Sequence, residues 1–142
     1  MRVKVTRTNP SVPLPVYSTP GAAAFDLAAA ETVDIPPRQI RLVGTGLVIG
    51  VPDGHFLAIL ARSSTPLKRG LVVANGVGVI DSDYCGPDDE VKVQVLNVTP
   101  GTVTVTQGDR IAQAIVLAAP RVDFEEVETT APSRGGFGST GR

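Results

Sequence analysis

Cysteine and histidine occur once each in the 142 residues, methionine once and tryptophan not at all. The lone thiol, Cys85, has no internal disulfide partner, which suits a reducing cytoplasm, and its plain reading is a small semi-buried packing residue. One cysteine and one histidine fall short of a tetrahedral zinc site, whereas a magnesium ion carried in by phosphates and met by carboxylates or water stays allowed. No apolar run approaches membrane-spanning length, and the opening residues Met1-Arg2-Val3-Lys4-Val5-Thr6 contain no apolar signal core. A soluble, unexported, cytoplasmic protein is expected. Charge of either sign is scarce as a cluster: 13 basic and 14 acidic residues give a net charge of −1. A broad electrostatic footprint for nucleic acid or membrane is therefore absent, so the expected partner is a small molecule held by a few local arginines and lysines.

Sustained helical periodicity is lacking as well. Short Val-, Ile- and Leu-rich segments recur between Gly, Pro and Asn, and the fold class is all-β, of sandwich, jelly-roll or compact-barrel type. Candidate strands cover 2–6, 40–49, 56–61, 71–74, 78–80, 90–98, 102–106, 111–117 and 122–127. One helical turn is expected after Ser63-Ser64, with Pro66 in its first turn and Gly70 as its stop. A chain of this length buries enough surface for one core, so residues 1–132 are expected to form one β domain. From Ser133 the composition turns to glycine with one aromatic, Phe137; this is either a disordered end or an arm that orders over a ligand.

Residues 75–86 are dense in polar chemistry, with an amide, Asn75, two carboxylates, Asp81 and Asp83, and a phenol, Tyr84. If the strand stays extended, Asp81 and Asp83 share a face and Tyr84 leaves on the other, unless Gly86 bends the chain. Asp81 follows the apolar pair Val79-Ile80, a position from which a shielded general base can reach a water. Asp83 reads as a turn and surface residue. Arg62 with Ser63 and Ser64 is either a helix cap or a phosphate cradle of guanidinium, hydroxyl and backbone donors. Gln113, on an otherwise apolar strand, is an edge residue or a phosphate donor. His55 invites a triad with Ser63 and Asp81 but is better read as a solvated turn histidine.

Five segments, in order, resemble the sequence motifs of the homotrimeric dUTP pyrophosphatase (dUTPase) family. They are Pro20-Gly21-Ala22-Ala23-Ala24-Phe25-Asp26-Leu27, Ala61-Arg62-Ser63-Ser64 with Lys68 and Gly70, the hairpin 75–86, Gly108-Asp109-Arg110-Ile111-Ala112-Gln113, and the tail 135–141. The resemblance implies a trimer of distorted, jelly-roll-like β-barrels whose sites are shared between chains, and Mg2+-dependent hydrolysis of dUTP. It implies that Asp81 activates the water attacking the α-phosphorus. Asn75, the main chain near Val79, Ile80 and Lys92, the ring of Tyr84 and Phe137 would hold base and sugar. Arg62, Ser63, Ser64, Gln113, Arg134, Gly138 and Ser139 would hold phosphates, and Asp26 the magnesium hydration shell.

The chain also departs from the family pattern. Pro87-Asp88-Asp89 intervene before Glu90 and lengthen the hairpin, which shifts the placement of Lys92. Ala24 stands where glycine is common, and the arm arginine's usual place is Pro132, leaving Arg134 as its substitute. A dCTP deaminase of the same fold would need a glutamate where this chain has Gln94, which cannot shuttle protons. A non-catalytic trimeric nucleotide-binding β module is the other alternative.

Overall fold

The computed structural model describes residues 1–136. Phe137, Gly138 and Ser139, expected to contact nucleotide, lie outside the described residues. A four-stranded antiparallel sheet, ordered β2 (Phe25–Ala28), β11 (Arg110–Ala118), β6 (His55–Leu60), β8 (Gly78–Ile80), carries the expected site residues Asp26, Gln113, Val79 and Ile80 and leads directly into Arg62 and Asp81. A second sheet has the order β4 (Ile40–Gly44), β9 (Lys92–Asn97), β7 (Leu71–Val73), and β1 (Lys4–Arg7) and β3 (Val33–Ile35) pair with β5 (Leu47–Gly50) and β10 (Val103–Val105). All the ladders are antiparallel. The all-β, jelly-roll-like class holds, but among the described residues the strands form four separate sheets and not one closed barrel.

Alternation explains which faces are buried. In β9 the valines Val93 and Val95 point inward while Lys92 and Gln94 stay exposed, and in β2 Phe25 and Leu27 are buried while Asp26 and Ala28 face outward. The inward residues meet Leu57, Ile59, Leu71 and Ala114 in one apolar core. Buried Asn97 ties this core to the loops, donating to the carbonyls of Ile35 and Gly101 and accepting from Thr99. The expected helical turn is α1 (Thr65–Arg69), ended by Gly70 in the left-handed conformation; Ser64 stands at its cap position without a side-chain cap bond. Among the described residues no helix is long and apolar enough to cross a membrane.

The segment 40–49 is two strands, because a break at Thr45-Gly46, with Gly46 at φ +66°, passes the chain from the ladder with β9 to the ladder with β1. β2 and β3 were not expected: β2 lies in alanine-rich sequence with weak strand propensity and is held by its ladder with β11. Residues 122–127 are not a strand. Among the described residues no strand offers them a ladder, Glu125-Glu126 break the period of two, and Val122, Phe124 and Val127 are 66 %, 95 % and 71 % exposed.

A Cβ added at Gly46 would also come within 2.6 Å of Val12 Cγ2. Gly46→Ala should therefore cost about 1–3 kcal/mol, from left-handed backbone strain and the collision together. A thermal unfolding scan checks this as a clear drop in midpoint relative to Gly54→Ala, which has the same backbone sign but open space around it.

Candidate functional site

Asp26 faces outward from β2 directly opposite Gln113 of β11, so the two side chains share a face. Asp26 Oδ1 accepts from Arg62 Nε at 2.6 Å, and Oδ2 accepts from Arg110 Nη1 at 3.1 Å and from Ser18 Oγ at 3.3 Å. A carboxylate offers about four lone-pair sites, so three are engaged and one remains. Among the described residues Arg62 in turn uses only Nε, leaving both terminal nitrogens for another acceptor. Gln113 donates one amide hydrogen to the Ala61 carbonyl at 2.9 Å and has the second left. Since β11 lies between β2 and β6, Gln113 is in the sheet interior, which removes the edge-residue reading.

A β-bulge at residues 110–112 brings Arg110 into this group. Counting back by twos from Gln113 puts Ile111 on the polar face; the extra residue buries Ile111 and turns Arg110 outward instead. Sequence reasoning assigned Arg110 no role, and the bulge is the reason. Arg62, Ser64, Lys68, Arg69 and Arg110 line one shallow cavity of about 230 Å³ at the start of α1. Ser63, next to it, is exposed. Arg69 is held by Asp109 at 2.9 Å and by the Thr104 carbonyl at 2.8 Å. Apart from the Asp109 carboxylate, which is paired with Arg69, the cavity is thus lined by guanidinium, ammonium and hydroxyl donors, suited to a polyanion such as a phosphate chain.

The second group of expected residues lies elsewhere. β8 pairs with β6 with Ile80 opposite Leu57, so Asp81 emerges beside the first residues of β6. Strand geometry ends at Ile80: the Tyr84 N–H bonds the Asp81 carbonyl at 3.2 Å, and the expected alternation of Asp81, Asp83 and Tyr84 gives way to a turn. Asp81 is exposed in the single chain, not shielded as its apolar neighbours suggested, and with Asp83 and His55 it borders a wide hollow of about 1010 Å³. Cys85 is exposed too, contrary to the semi-buried expectation. Asn75 sits in the turn before β8, and the Ala74 N–H bonded to the Gln94 carbonyl at 2.9 Å carries it toward the start of β9, where Lys92 is exposed. Val79 is exposed and Ile80 half-buried. The Tyr84 hydroxyl donates to the Glu90 carbonyl at 3.3 Å. Arg134 is exposed in the extended segment after β11 and joins neither group.

The two groups occupy opposite ends of β6. Its six residues span about 20 Å at about 3.3 Å each, with Asp81 at the His55 end and Arg62 beyond Leu60. The same distance removes a Ser63-His55-Asp81 triad, and His55 Nδ1 lies 3.0 Å from the Asp53 carbonyl in a turn, as expected of a solvated histidine.

The dUTPase family model matches residues 11–141. The chain belongs to the dUTPase family. It is 40 % identical to the deoxyuridine 5′-triphosphate nucleotidohydrolase of Wolinella succinogenes over 145 aligned positions, covering 100 % of this chain and 95 % of that one. It resembles the crystal structure of the Streptococcus mutans dUTPase with a TM-score of 0.78 and 35 % identity, over 86 % of this chain and 98 % of that one. A staphylococcal bacteriophage 80alpha dUTPase with dUpNHpp shares the fold at TM-score 0.86 and 21 % identity, over 99 % and 98 % of the chains.

The first four dUTPase motifs thus fall into two clusters, one cationic and one built on residues 75–84 around β8. Arg110 joins the cationic cluster through Asp26 and the cavity wall. Arg110→Ala should weaken binding of inorganic pyrophosphate about tenfold or more, the scale of one charge-assisted hydrogen bond. Titration calorimetry reads this directly, and unchanged affinity would mean that Arg110 only neutralises Asp26.

Proposed function

We propose that the chain hydrolyses dUTP to dUMP and pyrophosphate, limiting uracil incorporation into DNA and supplying dUMP for thymidylate synthesis. The observation that carries this reading is the pairing of a cationic cradle around Asp26 with a hairpin that presents Asn75, Asp81 and Tyr84. Arg62, Ser63, Ser64 and Gln113 take the α- and β-phosphates. Asn75, donor and acceptor in one amide, matches the imide edge of uracil, and main-chain groups near Val79, Ile80 and Lys92 complete the base contacts. The Tyr84 ring abuts the deoxyribose and leaves no room for a 2′-hydroxyl. Asp81 accepts a proton from the water attacking the α-phosphorus; the new O–P bond forms as the bond to pyrophosphate breaks.

Magnesium neutralises triphosphate charge when bound. The remaining lone-pair site of Asp26 fits one contact to a metal-held water, and among the described residues no cluster of three or more His, Cys, Asp or Glu offers a direct cage. An ion that arrives with the phosphates and keeps several waters fits this donor set.

A general base and a phosphate cradle serving one α-phosphorus must lie within a few ångströms of the same substrate, which the two ends of β6 do not allow within one chain. This supports a homotrimer in which the hairpin of one copy meets the cradle of the next. The exposed Val122, Phe124 and Val127 supply apolar surface for such assembly, and a neighbouring copy would shield Asp81. Arg134, Phe137, Gly138 and Ser139 we assign to an arm, residues 133–142, that closes over the nucleotide from the domain 1–132. A cytoplasmic location suits the exposed thiol of Cys85. The dCTP deaminase alternative is not favoured, since Gln94 is an exposed residue of β9 without a carboxylate.

Asp81→Asn should lower kcat by about 10²–10⁴ with nucleotide binding nearly intact, while Asp83→Asn changes little. Steady-state turnover together with dUMP binding distinguishes these, and equal behaviour of the two variants would remove Asp81 as the base. With dUTP, UTP, dCTP and dTTP in parallel, only dUTP should release pyrophosphate well; comparable release from UTP would contradict the sugar contact.

A further inference from the structure

Behind Tyr84 the hairpin is braced by a residue that the hydrolytic scheme does not use. Glu90 Oε1 accepts the Gly46 N–H at 2.7 Å, and Oε2 lies 3.9 Å from Lys92 Nζ. The carboxylate also packs on the backbone of β4: a Cβ at Gly44 would come within 2.6 Å of Oε1. On its other side, the Glu90 carbonyl accepts the Tyr84 hydroxyl. A single residue therefore joins the phenol to the junction between β4 and β5. That junction is itself well fixed, since Thr45 Oγ1 donates to the Val91 carbonyl at 2.6 Å and the Val91 N–H donates to the Leu47 carbonyl at 2.8 Å.

The insertion at 87–89 leaves this brace in register. Asp89 Oδ2 accepts the Gly86 N–H at 2.7 Å, and the Asp89 N–H donates back to the Gly86 carbonyl at 3.1 Å. The added residues thus form a turn closed on itself, and the chain leaves it at Glu90 with the carboxylate on Gly46. An anionic acceptor makes a stronger bond to a backbone N–H than a neutral one, and this one is half-buried.

We propose that Glu90 is a positioning residue for Tyr84: held on the Gly46 amide, it fixes the phenol through its own carbonyl and so sets how tightly the ring excludes a 2′-hydroxyl. The inference rests on the reading that Tyr84 faces the sugar. It assigns discrimination between deoxyribose and ribose partly to a residue that touches no substrate.

The test uses the full chain with Glu90→Ala and Glu90→Gln, and kcat/KM for dUTP and UTP. In parallel, the two tyrosines, Tyr17 and Tyr84, are replaced by 3-fluorotyrosine and their fluorine resonances assigned with Tyr17→Phe. Glu90→Ala should raise the UTP to dUTP ratio of kcat/KM about tenfold, the scale of one charge-assisted hydrogen bond. It should also shift the Tyr84 resonance and leave Tyr17 in place. Glu90→Gln, which keeps an amide oxygen for the Gly46 N–H, should return both readouts toward wild type. An unmoved Tyr84 resonance in Glu90→Ala, an equal loss on both nucleotides, or a glutamine variant that behaves like alanine would each overturn the proposal. If Tyr84→Ala itself still excludes UTP while Glu90→Ala moves the resonance, the sugar role of Tyr84 falls and the positioning by Glu90 stands.

Discussion

The ladders that hold β6 between β11 and β8 decide which chemical groups meet in this molecule. Gln113 is opposite Leu60 at one end, and Ile80 is opposite Leu57 toward the other. Register in a half-buried antiparallel sheet is strongly specified, because a slip of one residue would turn Leu57 and Ile59 out of the core. The distance between Asp81 and Arg62 is therefore as fixed as the core itself. On the proposed reading of the site, that distance is what calls for a second copy to complete it.

At the cradle end, Asp26 organises the cations. Its carboxylate draws Arg62 from the start of the α1 turn and Arg110 from the bulge of β11 onto one face, where their mutual repulsion is offset. Both guanidiniums are partly exposed, so neither pair contributes much to stability in water, and the arrangement is better understood as orienting Arg62 with its terminal nitrogens toward a ligand. The hairpin end is organised differently, by backbone hydrogen bonds and the Glu90 carboxylate instead of clustered charge. A polyanion and a neutral base need those two environments respectively.

Much of this was legible in the sequence. Val93 and Val95 alternating with Lys92 and Gln94 fixed the faces of β9, and Pro66 with Gly70 marked α1. Gln113 stood out as a polar residue on an otherwise apolar strand and Arg62 as the head of an Arg-Ser-Ser cap or cradle, whereas Asp26 was named only through the resemblance to the dUTPase motifs. Their convergence was not legible, since it depends on β2 pairing with β11, and Phe25–Ala28 carries little strand propensity of its own. Arg110 was missed because a bulge breaks the period of two on which facing is counted. The strand expected at 122–127 failed for a different reason: apolar residues there state what a strand could bury, but among the described residues no partner strand forms a ladder with them.

The most direct test of the split site is subunit complementation. Asp81→Asn chains and Arg62→Ala chains, each nearly inactive alone, are mixed in equal amounts, unfolded and refolded together. If each site takes Asp81 from one copy and Arg62 from the next around a three-fold ring, about one quarter of the sites regain both groups, and the mixture should recover about that share of wild-type turnover. A mixture as inactive as its parents would contradict the account.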